Sequence, residues 1–248
     1  MADPATTEVV EAAEAPRFDE SAPIASPFHL VVILVVLAFL SYRSGADAGT
    51  IAFARSARPL FYIVTIVAQW LLLGAVVYGV WRHRSPLSTV FGPRWHSARD
   101  IARDIGIAAA FWLVSSLILS ATIDHSKQTG PGDVVQALLP QTPLEFGLWI
   151  AMSVTAGICE EAIYRGYLQR QFIAYTRSPA IGIIGSAIVF GAGHAYKGGT
   201  GALRIVLFGA MFGLLAHWRK SVRPGMMAHA FTDTFAGVLA RVLGVKVT

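Results

Sequence analysis

The sequence predicts an all-α protein that crosses a membrane as a helical bundle of about seven or eight spans. Hydrophobic residues make up 54% of the 248 residues and charged residues only 14%, with a mean hydropathy of +0.56. A soluble domain carries nearer a quarter of charged residues, and a spanning helix needs about 20 mainly apolar residues. Apolar stretches of this kind recur along the chain and leave no room for a second sizeable domain.

The apolar stretches follow one another from about residue 28, and three of them start at a proline. Proline is tolerated in the first turn of a helix, so Pro59, Pro179 and Pro224 indicate where spans begin. The predicted spans are 28–42, 59–81, 105–123, 144–165, 179–196, 202–218 and 224–243. We also expect an interfacial helix over 96–107 and a re-entrant or interfacial piece over 136–143.

Residues 1–27 differ from the rest of the chain because they hold six acidic residues against the single base Arg17. Acidic segments rich in alanine and proline cannot bury enough apolar surface to fold. A signal peptide is excluded because the region before its apolar run should be basic. The sequence therefore divides into a disordered acidic tail, 1–27, and a transmembrane helical domain, 28–248.

The basic residues indicate the orientation of the chain in the membrane. With a cytoplasmic N-terminus, 12 of the 20 Lys and Arg residues lie on the inner side, as the positive-inside rule favours. We therefore expect a multi-pass protein of the plasma (inner) membrane. Since the bases lie in short loops between apolar segments, topology explains the pI of 9.6 better than binding of nucleic acid does.

Five ionisable side chains lie inside the last four apolar segments: Glu160, Glu161, His194, His229 and Asp233. A charged side chain at the centre of a bilayer costs about 3 kcal/mol or more. A bundle that keeps five of them in one region is expected to use them together.

The fourth segment contains two acids followed by a base. Adjacent residues of an α-helix lie about 100° apart, so the carboxylates of Glu160 and Glu161 are expected to face different ways. Glu161 and Arg165 have the i,i+4 spacing and order of an ion pair, which leaves Glu160 as the candidate general base. The alternative is that both acids lie in water at the cytoplasmic helix end, with Arg165, Arg170 and Arg177.

The fifth and seventh segments each place two residues on one helix face at i,i+4 spacing. These pairs are Phe190 with His194 and His229 with Asp233. A histidine and an acid at this spacing suit an oriented imidazole or two ligands to one metal. The alternatives are a neutral His194 that is hydrogen-bonded between helices, and a purely structural hydrogen bond between His229 and Asp233.

The three motifs, in this order, resemble those of the CPBP family, the CAAX-processing and bacteriocin-processing intramembrane proteases (also the Abi family). The family pattern is Glu-Glu-x-x-x-Arg, Phe-x-x-x-His and His-x-x-x-Asn or Asp, which here correspond to Glu160–Arg165, Phe190–His194 and His229–Asp233. The resemblance covers a protease-like core of about 144–236. It implies an all-helical bundle whose site lies in a cavity open toward the cytoplasm.

The resemblance implies hydrolysis of peptide bonds inside the membrane. Glu160 would take a proton from a water molecule that His194 also holds. The third motif would stabilise the oxyanion or complete the site, and the Glu161–Arg165 pair would fix the geometry. The residues expected to be catalytic are Glu160, Glu161, Arg165, His194, His229 and Asp233, and Phe190 is expected to contact the substrate.

The family has been described both as metal-dependent and as glutamate-dependent without a metal. Glu160, His194 and His229 are possible ligands of Zn²⁺ or another divalent metal. Asp233 stands where prenyl-peptide-processing members often have Asn, and an ionised Asp cannot donate a hydrogen bond to an oxyanion. Asp233 must therefore be protonated, orient His229 or bind a metal.

The expected partners are membrane lipid and a membrane-associated peptide or protein, and the sequence does not select among prenylated C-terminal peptides, leader peptides and membrane-anchored regulators. Two further classes stay open. One is a non-proteolytic immunity or scaffold protein that binds a partner in the same cavity. The other is a transporter or proton relay, which the absence of a visible internal repeat disfavours.

Overall fold

The computed structural model describes residues 22–43, 48–122 and 137–242, and every regular element in these ranges is helical. The helices are α1 (Pro27–Arg43), α2 (Ala48–Ser56), α3 (Arg58–Arg82), α4 (Ser88–Phe91), α5 (Ala98–Ser120), α6 (Pro143–Glu160), α7 (Gln169–Thr176), α8 (Pro179–Ala192), α9 (Gly198–Arg219) and α10 (Arg223–Val242). A π-helical segment, Glu161–Leu168, joins α6 to α7, and a 3-10 turn, Ala195–Lys197, precedes α9. The all-α prediction is confirmed for these ranges.

Four helical stretches of the described ranges are long and apolar enough to cross a membrane, judged by length and composition: Arg58–Arg82, Ala98–Ala121, Pro143–Thr176 and Ala195–Arg219. The apolar helices α1 and α8 have only 17 and 14 residues, fewer than the about 20 that a bilayer requires. The predicted count of seven or eight spans is therefore not confirmed.

The interfacial helix expected over 96–107 is instead the first part of the long helix α5. Ser97 caps this helix by accepting a hydrogen bond from the backbone N–H of Asp100 over 3.2 Å. Asp104 is buried and accepts from Trp95 Nε1 over 2.8 Å and from Arg219 Nη2 over 3.0 Å. This buried, paired acid ties the start of α5 to Trp95 and Arg219, and the interfacial position expected of this stretch stays a prediction.

The segment before α6 is fastened to the start of α3. Arg58 donates to the carbonyl of Ala137 over 2.8 Å and forms an ion pair with Glu145 at 3.2 Å. Thr142 and Glu145 form a capping box at the start of α6, which satisfies two of the free N–H groups of the first turn. The described part of the predicted 136–143 piece is therefore a strap held by α3 and α6.

The rod that starts at α6 changes its winding at Glu161. Over Glu161–Leu168 the backbone is π-helical, and the N–H of Gln169 reaches the carbonyl of Tyr164, five residues earlier. All eight residues of this segment are buried. Wide turns of this kind inside α-helices are frequent at functional sites, and this one begins directly after Glu160.

Residues 1–21 of the predicted acidic tail lie outside the described residues, so its disorder stays a prediction there. The residues next to α1 do have defined contacts, because Ile24 and Ala25 are buried. Gln171 of α7 accepts from the N–H of Ile24 over 2.8 Å and donates to the carbonyl of Ala25 over 3.0 Å. These bonds tie the entry of α1 to the rod that carries the site.

Candidate active site

A buried ion pair lies at the centre of the candidate site. Arg165 Nη1 is 2.9 Å from Glu161 Oε1, and the two side chains are 0% and 1% exposed. The i,i+4 pairing expected from the sequence thus has a hydrogen-bonded geometry. The alternative of a solvated charge cluster at a helix end is wrong, because Arg170 is also buried.

Two glycines on other helices make room for this pair. A Cβ atom on Gly209 of α9 would lie 3.2 Å from Arg165 Nη2, and one on Gly225 of α10 would lie 3.1 Å from Glu161 Oε2. Contacts this short would push the neighbouring side chain away. Helices α9 and α10 therefore approach the ion pair closely because these positions lack a side chain.

His229 of α10 joins the third motif to the first. Its Nδ1 lies 3.1 Å from Glu161 Oε1, and its ring is buried. Its Nε2 lies 3.8 Å from Glu160 Oε2 and 3.6 Å from Asp233 Oδ2. Glu160 and Glu161 thus lie at opposite nitrogens of the same imidazole. Helix geometry predicts that the two acids face different ways, and the structure adds that both face the ring of His229.

Glu160 is held by a side chain of α3 that the sequence reading did not single out. Gln69 Nε2 donates to Glu160 Oε1 over 3.0 Å. The signal in the sequence is one amide side chain in the middle of an otherwise apolar span. A pattern of ionisable side chains does not reveal this residue, because a neutral amide does not titrate.

Phe190 is the point at which all three motifs meet. The guanidinium of Arg165 lies 4.3 Å from the centre of its ring, and the ring centroids of His194 and His229 lie at 4.7 and 6.2 Å. Phe190 is only 1% exposed. Its ring supports the guanidinium and both imidazoles, and the substrate contact expected of Phe190 stays a prediction.

The backbone fixes the tautomer of His194. Its Nδ1 lies 2.9 Å from the carbonyl oxygen of Phe190, and since a carbonyl only accepts, Nδ1 must carry the proton. In the neutral ring, Nε2 then carries the lone pair. Nearby, Gly191 lets α9 approach, because a Cβ there would lie 2.3 Å from Val206 Cγ2. Helices α8 and α9 therefore pack closely at this glycine.

The side chains of the site become more exposed to solvent from the ion pair toward Glu160 and Asp233. The side chains of Arg165, Glu161 and His229 are 0%, 1% and 6% exposed, whereas those of Glu160 and Asp233 are 17% and 40% exposed. The side of the imidazole that bears Nε2 therefore faces the accessible part of the site. The ion pair supports the ring from the buried side.

The side chains expected as metal ligands are not grouped as a metal site requires. Within the described ranges, no group of three or more His, Cys, Asp or Glu side chains is placed to hold a metal ion. Glu160, His194 and His229 therefore do not fit a shared Zn²⁺ site, and the description of the protein as a metalloprotease is not supported.

A small cavity borders Arg165 of the buried ion pair without reaching the rest of the site. Thr89, Arg165, Gln169, Arg170 and Ser221 are among its lining residues. Glu160, His194 and His229 do not line it. The substrate cavity expected from the resemblance therefore stays a prediction.

Apolar helices long enough to span a bilayer and a buried cluster of acids and histidines define an integral membrane protein with a polar site inside its helices. Residues 142–235 match the family described as type II CAAX prenyl endopeptidase Rce1-like. The match supports the resemblance of this part of the chain to the CAAX-protease (CPBP) family that its motifs indicated. No curated protein matches the chain, and no solved structure matches it.

Proposed function

We propose that the protein is an intramembrane endopeptidase that hydrolyses peptide bonds of membrane-associated peptides, with prenylated CAAX-type peptides as the first class to test. The observation that carries this proposal is the meeting of Glu160 and Asp233 at the accessible Nε2 side of His229, over distances of 3.8 and 3.6 Å. The family match supports the substrate class, since the family is described by its CAAX prenyl endopeptidases.

In the proposed reaction, Glu160 is the general base and then the general acid. Its carboxylate takes a proton from water, the resulting hydroxide attacks the scissile carbonyl carbon, and the C–O bond forms as the carbonyl π electrons move to oxygen. On collapse of this intermediate the C–N bond breaks, and Glu160 gives its proton to the leaving nitrogen. The hydrolysis of each peptide bond consumes one water molecule and no other reactant.

His194 and His229 have different parts in this mechanism. Because Nδ1 of His194 donates to Phe190, its Nε2 lone pair is an acceptor that can hold the attacking water. His229 is anchored at Nδ1 by Glu161, and in its imidazolium form Nε2–H is a donor for the oxyanion. Asp233 lies close enough to orient this ring, which is one of the three roles that its sequence position allows.

The proposal is tested with the purified protein in liposomes and a farnesylated peptide that ends in a Cys-a-a-X sequence. Release of the C-terminal tripeptide is measured by mass spectrometry for the wild type and Glu160→Gln. Loss of the general base is expected to lower the rate by about 10²–10⁴-fold. Cleavage at the wild-type rate by Glu160→Gln would contradict the mechanism.

A second experiment covers substrates other than CAAX-type peptides. New protein N-termini are compared in membranes of cells with the wild type, Glu160→Gln or His194→Ala at matched expression. N-termini that occur only with the wild type support proteolysis and identify the substrates. Identical sets, with any cellular effect retained by both variants, would overturn the endopeptidase proposal in favour of a binding protein.

A further inference from the structure

Gln69, which contacts Glu160, lies outside the three motifs and outside the matched residues 142–235. Gln69 belongs to α3, a span of 25 residues, and its Nε2 is 3.0 Å from Glu160 Oε1. The neighbours of Gln69 in sequence are apolar over several residues on both sides. A lone amide in such a span is costly unless it is hydrogen-bonded, and its bond here is to the proposed general base.

The oxygen of the same amide is a second feature of Gln69. Gln69 Oε1 is buried and has no hydrogen-bond partner within the described residues. An unpaired buried acceptor is unfavourable, so such an atom at a functional site calls for an explanation. A rotation of the amide by 180° would exchange the donor and the acceptor that face Glu160.

We propose that Gln69 is a positioning residue for Glu160 and that its amide provides a partner for both forms of this carboxyl group. The ionised form accepts from the amide N–H, as the structure has it. Once Glu160 has taken a proton from water, its O–H can donate to the amide oxygen, until the proton passes to the leaving nitrogen. The second half of this proposal rests on the proposed function, whereas the positioning contact does not.

The kinetic test compares Gln69→Leu with a neighbouring control. Trp70 Nε1 donates to Thr155 Oγ1 over 3.3 Å, so Trp70→Phe also removes a hydrogen bond between α3 and α6 without touching Glu160. With a farnesylated peptide, Gln69→Leu is expected to lower kcat by about tenfold or more, as loss of a bond to a charged group implies, with little change in KM. Trp70→Phe is expected to keep kcat. An equal fall of kcat in both variants would mean that Gln69 acts only through packing of α3 against α6, and would overturn the proposal.

An infrared measurement tests the contact without any cleavage. The spectrum of the wild type minus that of Glu160→Gln isolates the carboxyl bands of Glu160, and the same difference is measured in the Gln69→Leu background. We expect these bands to shift, and unchanged bands would overturn the positioning role. Gln69→Met replaces Gln69→Leu if the latter does not fold. Shifted bands in a protein that cleaves no peptide would refute the proposed function and leave the positioning contact standing.

Discussion

Glu161 accepts a hydrogen bond from Nδ1 of His229 over 3.1 Å, although the two residues lie 68 positions apart in the chain. Since an ionised carboxylate only accepts, this bond places a proton on Nδ1 and turns Nε2 toward Glu160. The same Oε1 atom also binds Arg165. The first motif therefore fixes the orientation of the histidine in the third motif, because the bond at one ring nitrogen sets the state of the other.

The ion pair behind His229 makes a clear stability prediction. Glu161→Gln leaves the guanidinium of Arg165 buried without a counter-charge, which typically costs about 3–5 kcal/mol. We expect the free energy of unfolding to fall by about this amount, as measured by denaturant or thermal unfolding in detergent. The double variant Glu161→Gln, Arg165→Met removes both charges and is expected to be more stable than Glu161→Gln alone. A single variant as stable as the wild type would contradict this role of the pair.

His194 is predicted to act in the chemical step. Because Nδ1 of its imidazole donates to a backbone carbonyl, Nε2 is the acceptor proposed to hold water. His194→Ala removes this acceptor. We expect kcat with a farnesylated peptide to fall by about 10²–10⁴-fold, with an unchanged unfolding midpoint. His83, which is exposed and contacts Ser85, offers a matched control. Equal activity of His194→Ala and His83→Ala would rule out a catalytic His194.

The parts of the site that the sequence predicts are those that helix geometry alone determines. An i,i+4 spacing places two residues on one face whatever surrounds them. Accordingly, Glu161 pairs with Arg165 at 2.9 Å, and Asp233 lies 3.6 Å from His229. The order of three such pairs on separate apolar segments also indicated the family.

The parts that the sequence did not predict depend on tertiary packing. No local pattern joins Gln69 to Glu160, 91 positions later, because that contact requires the register of α3 against α6. The π-helical turn after Glu160 is likewise invisible to a 3.6-residue periodicity, since all of Glu161–Leu168 is buried. The number of spans is likewise not settled by hydropathy, which does not reveal that α8 ends at Ala192, after 14 residues.

Asp233 permits a test of what the third motif requires. Its Oδ2 lies 3.6 Å from His229 Nε2, too far for a hydrogen bond, so its charge rather than a fixed bond acts on the ring. Asp233→Asn keeps the size and adds an N–H donor suited to an oxyanion. Both variants lose the charge, but we expect Asp233→Asn to stay within about tenfold of the wild-type kcat because its N–H donor compensates at the oxyanion. Asp233→Ala gains no such donor and is expected to fall by about 10²-fold.

The ratio of the kcat values of the two Asp233 variants shows whether charge or hydrogen bonding matters at this position. Both are measured with the same peptide over a range of pH, after thermal unfolding has established that they fold. If Asp233→Asn is as inactive as Asp233→Ala, the charge of the carboxylate itself is needed and an N–H donor at this position cannot replace it.

Gly157 is predicted to set the distance between the helices that carry Glu160 and His229. A Cβ on Gly157 would lie 2.6 Å from the carbonyl oxygen of Met226 and 2.8 Å from Ala230 Cβ on α10. Since backbone atoms cannot move aside as a flexible side chain can, Gly157→Ala must separate α6 from α10. We expect a loss of about 1–3 kcal/mol in the free energy of unfolding, as for other overpacked contacts, together with a lower kcat.

Gly147 on the same helix provides the matched control for Gly157. Nothing lies within 4 Å of a Cβ at this position, and alanine is favoured over glycine in a helix by about 0.5–1 kcal/mol. Gly147→Ala is therefore expected to raise the unfolding midpoint slightly and to keep full activity. If Gly157→Ala behaves in the same way, the close contact of α6 with α10 does not determine where His229 lies. A fall in kcat confined to Gly157→Ala would instead tie catalysis to the separation of these two helices, because both variants add the same methyl group to the same helix.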